Sequence, residues 1–147
     1  MPKPRIPEDL APDLLERLRA RFHPWPLISE WNLIIESVAP GQATMVLPSG
    51  PAVVNGPRGN INGGVLATLA DMVSALALST AFDGQMPFAT SDLHIRYREP
   101  AKGLTRADAV VVRLSARGAV TECRLYCGKT IVSLCTAHFA IKPNLPG

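Results

Sequence analysis

The stretch "GGVLATLADMVSALALSTAF", residues 63 to 82, constrains this chain more than any other, because it is apolar almost throughout and carries one charge, Asp71. Leu66, Leu69, Val73, Leu76 and Thr80 recur at the 3.6-residue period of one helical face. The rest of the circumference is Ala, Val, Met, Ser and Leu, and a helix apolar nearly all round is a buried one. Its length just suffices to span a bilayer, but an ionised carboxylate at the midpoint is costly there, and strand-like segments on both sides offer a soluble core. A central core helix is therefore expected, with no membrane partner.

At about 100° per residue, Asp71 projects away from the Leu66/Leu69/Val73/Leu76 stripe, in the company of Ala67, Ser74, Ala75 and Leu78. Small residues on that face admit a second helix or a slim ligand. A carboxylate in such surroundings needs donors to meet it. Two readings stay open on the helix alone: a structural aspartate held by backbone or by an arginine, or a functional acid. The helix start adds to the second. Gly63 and Gly64 leave unpaired N–H groups and the positive end of the helix dipole uncovered, which suits an anion or a polarised carbonyl oxygen. Asn62 is at the same time a natural N-cap.

Gly63 and Asp71 are eight residues apart, so about 12 Å separates donors from carboxylate along one helix, at 1.5 Å per residue. One small carbonyl group cannot touch both. If both serve one reaction centre, the second must come from another copy of the chain, its helix alongside and roughly antiparallel, as a two-fold dimer provides.

The remaining sequence supplies the wrapping. Leu10 to Phe22 has the spacing of a short amphipathic helix ended by His23-Pro24-Trp25-Pro26, which makes residues 1–25 an N-terminal helical extension. Trp31 to Ala39, a Pro40-Gly41 turn and "QATMVLP" read as a hairpin. Residues 48 to 60 form an irregular loop rich in Pro and Gly, and strand-like runs cover Phe88–Arg98, Thr105–Leu114, Val120–Tyr126 and Thr130–Ile141. The order of helix, two strands, long helix and four strands predicts one α+β domain over 1–147, an antiparallel sheet wrapped on one central helix. At 147 residues the chain is long enough to close such a core without disulfides or metal.

Charge excludes one class of partner. The net +3 is dispersed, unlike the concentrated basic footprint of a nucleic-acid binder. Cys123, Cys127 and Cys135 are odd in number and contain no C-x-x-C, which indicates neither a disulfide framework nor a zinc knuckle; packing residues in a cytoplasmic protein are expected. The N-terminus carries charge throughout and does not read as a secretory signal.

Together, the helix start with "GGVLATLAD", the "NLIIESVAPGQATMVLP" hairpin and the "TSDLHIRYREPAKG" strand resemble the hotdog-fold acyl-coenzyme A (acyl-CoA) thioesterases of the phenylacetate-pathway (PaaI-like) type, from about Trp31 to Ile141. The resemblance implies hydrolysis of acyl-CoA by a homodimer or dimer of dimers, with no metal and no bound cofactor. It implies that Asp71 acts as general base or nucleophile, that the Gly63 N–H polarises the carbonyl, and that Thr90 helps position water from the subunit supplying Asp71. Asn55 or Asn60 corresponds to a loop asparagine of the family. One departure is Asn62, where relatives usually have histidine; asparagine can replace it as donor and cap. That departure keeps a second reading in view, a non-catalytic acyl-CoA sensor. A hydratase on the same fold would need an Asp/His pair in its helix-proximal loop, which this sequence does not have.

Other candidates rank lower. Asp92, His94 and Arg96 share one strand face opposite Leu93, Ile95 and Tyr97, which reads as a solvated or intersubunit ladder rather than a triad. His138 is expected in the core and His23 at the surface, and no histidine pair has metal-ligand spacing. Arg58, Arg96, Arg98, Lys102 and Arg106 are candidates for CoA phosphates, Gly64 for a further substrate contact, and Met72, Leu78 and Met86 for an acyl pocket.

Overall fold

The computed structural model describes residues 3–142, so positions 1–2 and 143–147 of the expected domain lie outside the described residues. Helix α1 spans Leu14–Phe22 and buries Leu14, Leu18 and Phe22, the amphipathic face the sequence predicts, though it starts four residues later than expected. A second short helix, α2 (Pro26–Glu30), was not expected. The prolines end α1, but Pro26 also occupies the first turn of α2, where its fixed φ and missing N–H suit a helix start.

Strands β1 (Ile34–Ala39) and β2 (Gln42–Leu47) form the hairpin, with Gly41 at φ +69 in the turn. The loop that follows is less irregular than its composition suggests. Two 3-10 turns, Pro51–Val53 and Gly56–Arg58, flank and separate the two-residue strands β3 (Val54–Asn55) and β4 (Asn60–Ile61), which pair with each other. Bonds from Ile61 N to Ala101 O (2.9 Å) and from Asn62 N to Val53 O (2.8 Å) then fix the entry to helix α3, Gly63–Ser79, extended by a 3-10 turn over Thr80–Phe82.

Four long strands follow: β5 (Phe88–Tyr97), β6 (Thr105–Leu114), β7 (Gly118–Cys127) and β8 (Thr130–Ile141). With the hairpin they make a six-stranded antiparallel sheet in the order β1-β2-β6-β7-β8-β5, leaving β5 at one edge. This is the hotdog architecture. Residues on the inner face include Met45, Leu47, Ala107, Ala109, Leu125 and Ala137, and the alanines let α3 sit close to the sheet. Leu66, Leu69, Val73, Leu76 and Thr80 of the predicted stripe are all buried. Although the 63–82 segment is long and apolar enough to cross a membrane, it is packed here as the core of the sheet.

The less buried side of α3 differs from the one predicted. Ser74 and Leu78 are fully buried, and the half-open stripe runs through Gly63, Gly64, Ala67, Thr68, Asp71, Met72 and Ala75. The sheet covers more than half of the helix circumference, so residue 74, turned toward it from the position of Asp71, is enclosed while residue 75 is not.

Candidate functional site

Asp71 lies half-buried on that stripe, and its Oδ1 accepts a hydrogen bond from Thr90 Oγ1 at 2.7 Å. Strict alternation along β5 would turn Thr90 outward with Asp92, His94 and Arg96. A β-bulge prevents this: Thr90 pairs with Phe139 and Asp92 with His138, so Ser91 is an extra residue that reverses the phase. Upstream of the bulge Thr90 faces the helix; downstream Leu93 and Ile95 do, while Asp92, His94 and Arg96 are exposed on the outer face. Neither an arginine nor a backbone N–H is bonded to the Asp71 carboxylate among the described residues, so the structural-anchor reading finds neither of its expected partners.

The helix start is organised by Asn62. Its Oδ1 accepts from Gly64 N (2.7 Å) and Val65 N (3.3 Å), and its Nδ2 donates to Asn55 Oδ1 at 2.9 Å. The cap thus occupies the second and third N–H groups of α3, Gly64 included. The first N–H, on Gly63, has no acceptor among the described residues. The two functions of this terminus, capping and holding an oxygen, are therefore divided between neighbouring amides. Asn60, the other loop candidate, is half-buried, with its Oδ1 enclosed and without a partner among the described residues.

Tyr97 escaped sequence reasoning. Its hydroxyl donates to Gly63 O at 2.6 Å, tying the end of β5 to the start of α3, and a Cβ on Gly63 would stand 3.3 Å from the ring. The alternation with Leu93 and Ile95 already turned Tyr97 toward the helix; what it would meet there was not legible.

Other predicted residues are not brought to this place within one protomer. Arg96 stands on the outer face with His94, Glu122 and Arg124, and Arg98 is exposed beyond the end of β5. Arg58 and Lys102 are exposed, whereas Arg106 is engaged with Asp108 (3.2 Å) and Glu36 (3.6 Å). His138 is corrected: it points outward between the inward Ala137 and Phe139, with its Nδ1 3.8 Å from Asp92. His23 is exposed as expected. Leu78 is buried in a second cluster with Phe88 and Phe139, away from the acyl pocket expected of it, while Met72 and Met86 line one apolar cavity.

The cysteines are unbridged, with Cys123 and Cys135 buried. Burial, with the Asp71 charge adding to it, pushes the Cys135 thiol up to about 11. It therefore stays protonated at neutral pH and is no competing nucleophile, since only the thiolate attacks.

Within one protomer the spacing is decisive. The carboxylate and the open amide sit eight residues apart on one helix, about 12 Å by the helical rise. The stripe between them is mostly Gly, Ala and Thr, shallow enough for another helix to lie close.

Comparison with known proteins agrees with this architecture. A family model described as the thioesterase superfamily matches residues 58–133, just over half of the chain. A provisionally named esterase of Halobacterium salinarum is 34% identical over 100 residues, covering 65% of this chain and 66% of that protein, just under two thirds of its length. Among solved structures, a mutant of the phenylacetic acid degradation protein PaaI from Thermus thermophilus superposes with a TM-score of 0.71 at 26% identity, covering 78% of this chain and 97% of its own. The Escherichia coli PaaI protein reaches a TM-score of 0.78 at 18% identity over 90% of this chain and 95% of its own, a likeness of fold.

Proposed function

This chain belongs to the thioesterase superfamily, as a PaaI-like hotdog protein, and from that premise we propose that it hydrolyses acyl-CoA in the cytoplasm as a homodimer or dimer of dimers. The observation that carries the reading is the pairing of an oriented carboxylate with an open helix-start amide that one protomer cannot bring together.

In the proposed reaction, the thioester carbonyl oxygen accepts from the Gly63 N–H of one copy, where the helix dipole favours the charge that develops on it. Asp71 of the other copy takes a proton from water as the water adds to the carbonyl carbon, or adds itself and forms an acyl-aspartyl anhydride that water then hydrolyses to the free acid. The tetrahedral adduct then collapses, breaking the C–S bond, and the CoA thiolate leaves and is protonated. Thr90 is a positioning residue: by donating to Oδ1 it leaves Oδ2 as the acceptor for water. Two features support the second copy. Edge strand β5 is ten residues long and has one paired neighbour among the described residues, and such an edge invites another strand. The Gly/Ala stripe on α3 lies beside it.

Incubation with a panel of acyl-CoA species, following free thiol and thermal stabilisation together, tests the reading. Thiol release above the uncatalysed rate is expected from at least one member. Stabilisation without any thiol release would overturn it in favour of an acyl-CoA sensor.

A further inference from the structure

We propose that the N-terminal helices set the length of the acyl chain, by closing the far end of an apolar pocket that begins at Met72, beside Asp71, and runs past Ala75. The inference rests on the thioesterase reading and goes beyond it to the substrate class. A cavity of about 60 Å³ lies between α1–α2, the hairpin and α3. Its floor is Met72, Ala75 and Leu76 of α3, and its outer wall is Phe22, Trp25 and Ile28. None of its lining residues is charged, so the occupant it fits is hydrocarbon.

Position connects it to the chemistry. Met72 follows Asp71, and Ala75 stands one turn further along the same half-open stripe, its small side chain leaving the way clear. An acyl chain with its carbonyl level with Asp71 passes Met72 and must run about 5.4 Å, one helical turn, to reach Ala75. The cavity itself is well below the roughly 150 Å³ that accommodates benzene. An unbranched aliphatic acyl group of about four to eight carbons follows from that reach and that volume. Acetyl stops short of Ala75, and a benzene-sized ring exceeds the volume of the cavity.

The stop at the far end is Trp25. It stacks edge-on against Phe22 with centroids 4.2 Å apart and remains 42% exposed in the protomer, so no other described element of the same chain covers it. The wall residues Phe22, Trp25 and Ile28 precede the segment matched by the family model. Because Trp25 caps α2 through its backbone, removing the side chain leaves that helix start intact.

The test uses the full chain with acetyl-, hexanoyl-, phenylacetyl- and palmitoyl-CoA, measuring kcat/KM by thiol release and, separately, thermal stabilisation by each compound. Hexanoyl-CoA is expected to exceed the other three by about tenfold or more, since each methylene in an apolar pocket discriminates on that scale. Trp25→Ala should raise the palmitoyl-to-hexanoyl ratio by about tenfold or more, and Trp25→Phe should restore it toward the parental value. Met86→Ala opens another wall and should shift the ratio the same way, a safeguard should Trp25→Ala fold poorly. A parental preference for phenylacetyl or palmitoyl, or an unchanged ratio in the variants, would overturn the inference while leaving the thioesterase reading standing. If no compound releases thiol, that reading falls instead, and the chain-length dependence of thermal stabilisation in parent and variants then decides the pocket by itself.

Discussion

Asp71→Asn is expected to lower turnover of acyl-CoA by at least about a hundredfold, equivalent to about 2.7 kcal/mol of transition-state stabilisation, while leaving the fold unchanged. Asparagine has the same shape, and its amide oxygen can still accept from Thr90 Oγ1, so the contact that orients the side chain survives. What disappears is basicity and negative charge. Asp71 is half-buried on an open stripe and forms no ion pair among the described residues, so thermal stability should shift by little, as for other substitutions outside the core. The size of the loss also distinguishes two routes. Loss of a general base costs about 10² to 10⁴, whereas loss of a covalent nucleophile has cost about 10⁶ in another hydrolase. Steady-state kinetics beside a thermal melt checks both parts, and a variant with parental turnover would exclude Asp71 from the reaction.

Gly63→Pro is the second large effect, and the local backbone makes it unusually clean. Proline is well tolerated at the first position of a helix, and it removes the one N–H to which we assign the thioester oxygen. The preceding residue must be extended, and Asn62 already is, with φ −58 and ψ 135. The cap is also preserved, because Asn62 bonds Gly64 N and Val65 N and not Gly63 N. Losing one oxyanion donor costs about 10² to 10³ in kcat. The new ring atoms crowd Tyr97, whose ring lies 3.3 Å from the added Cβ position but which is 50% exposed and able to shift. Gly63→Ala controls for that crowding, since it adds the same Cβ and keeps the N–H. Alanine should retain most of the activity that proline abolishes. Equal losses in the two variants would assign the effect to packing against Tyr97 and remove the amide from the mechanism.

How much of this was legible beforehand varied with the physics involved. Helix α3 was readable because its apolar period and single charge are local properties, and Asp71 stood out for the same reason. The cap at Asn62 was likewise local, while its second bond, to Asn55, depended on a loop whose 3-10 turns and short ladder no composition specifies. Thr90 shows the limit most clearly. Counting alternate residues back from Tyr97 sends it to the wrong face, and the bulge at Ser91 that restores it is set by pairing with β8, a strand some forty residues away. Family resemblance supplied Thr90 where periodicity could not. His138 was a different kind of miss, since its inward neighbours Ala137 and Phe139 already implied an outward side chain. The closed end of the apolar cavity was hidden because Pro24 and Pro26 look like terminators, yet Pro26 starts the helix whose flank supplies part of the wall.

Complementation between inactive chains tests the shared site most directly. Asp71→Asn and Gly63→Pro homodimers should each be inactive, yet a mixed dimer holds one site with both groups intact, the aspartate from the proline chain and the amide from the asparagine chain. Co-expressing the two chains in equal amounts should recover roughly a quarter of parental turnover, because random pairing makes half the dimers mixed and one of their two sites complete. Activity that stays at the level of the separate variants, in a sample demonstrated to contain mixed dimers, would mean that both groups act within a single protomer and would contradict the account.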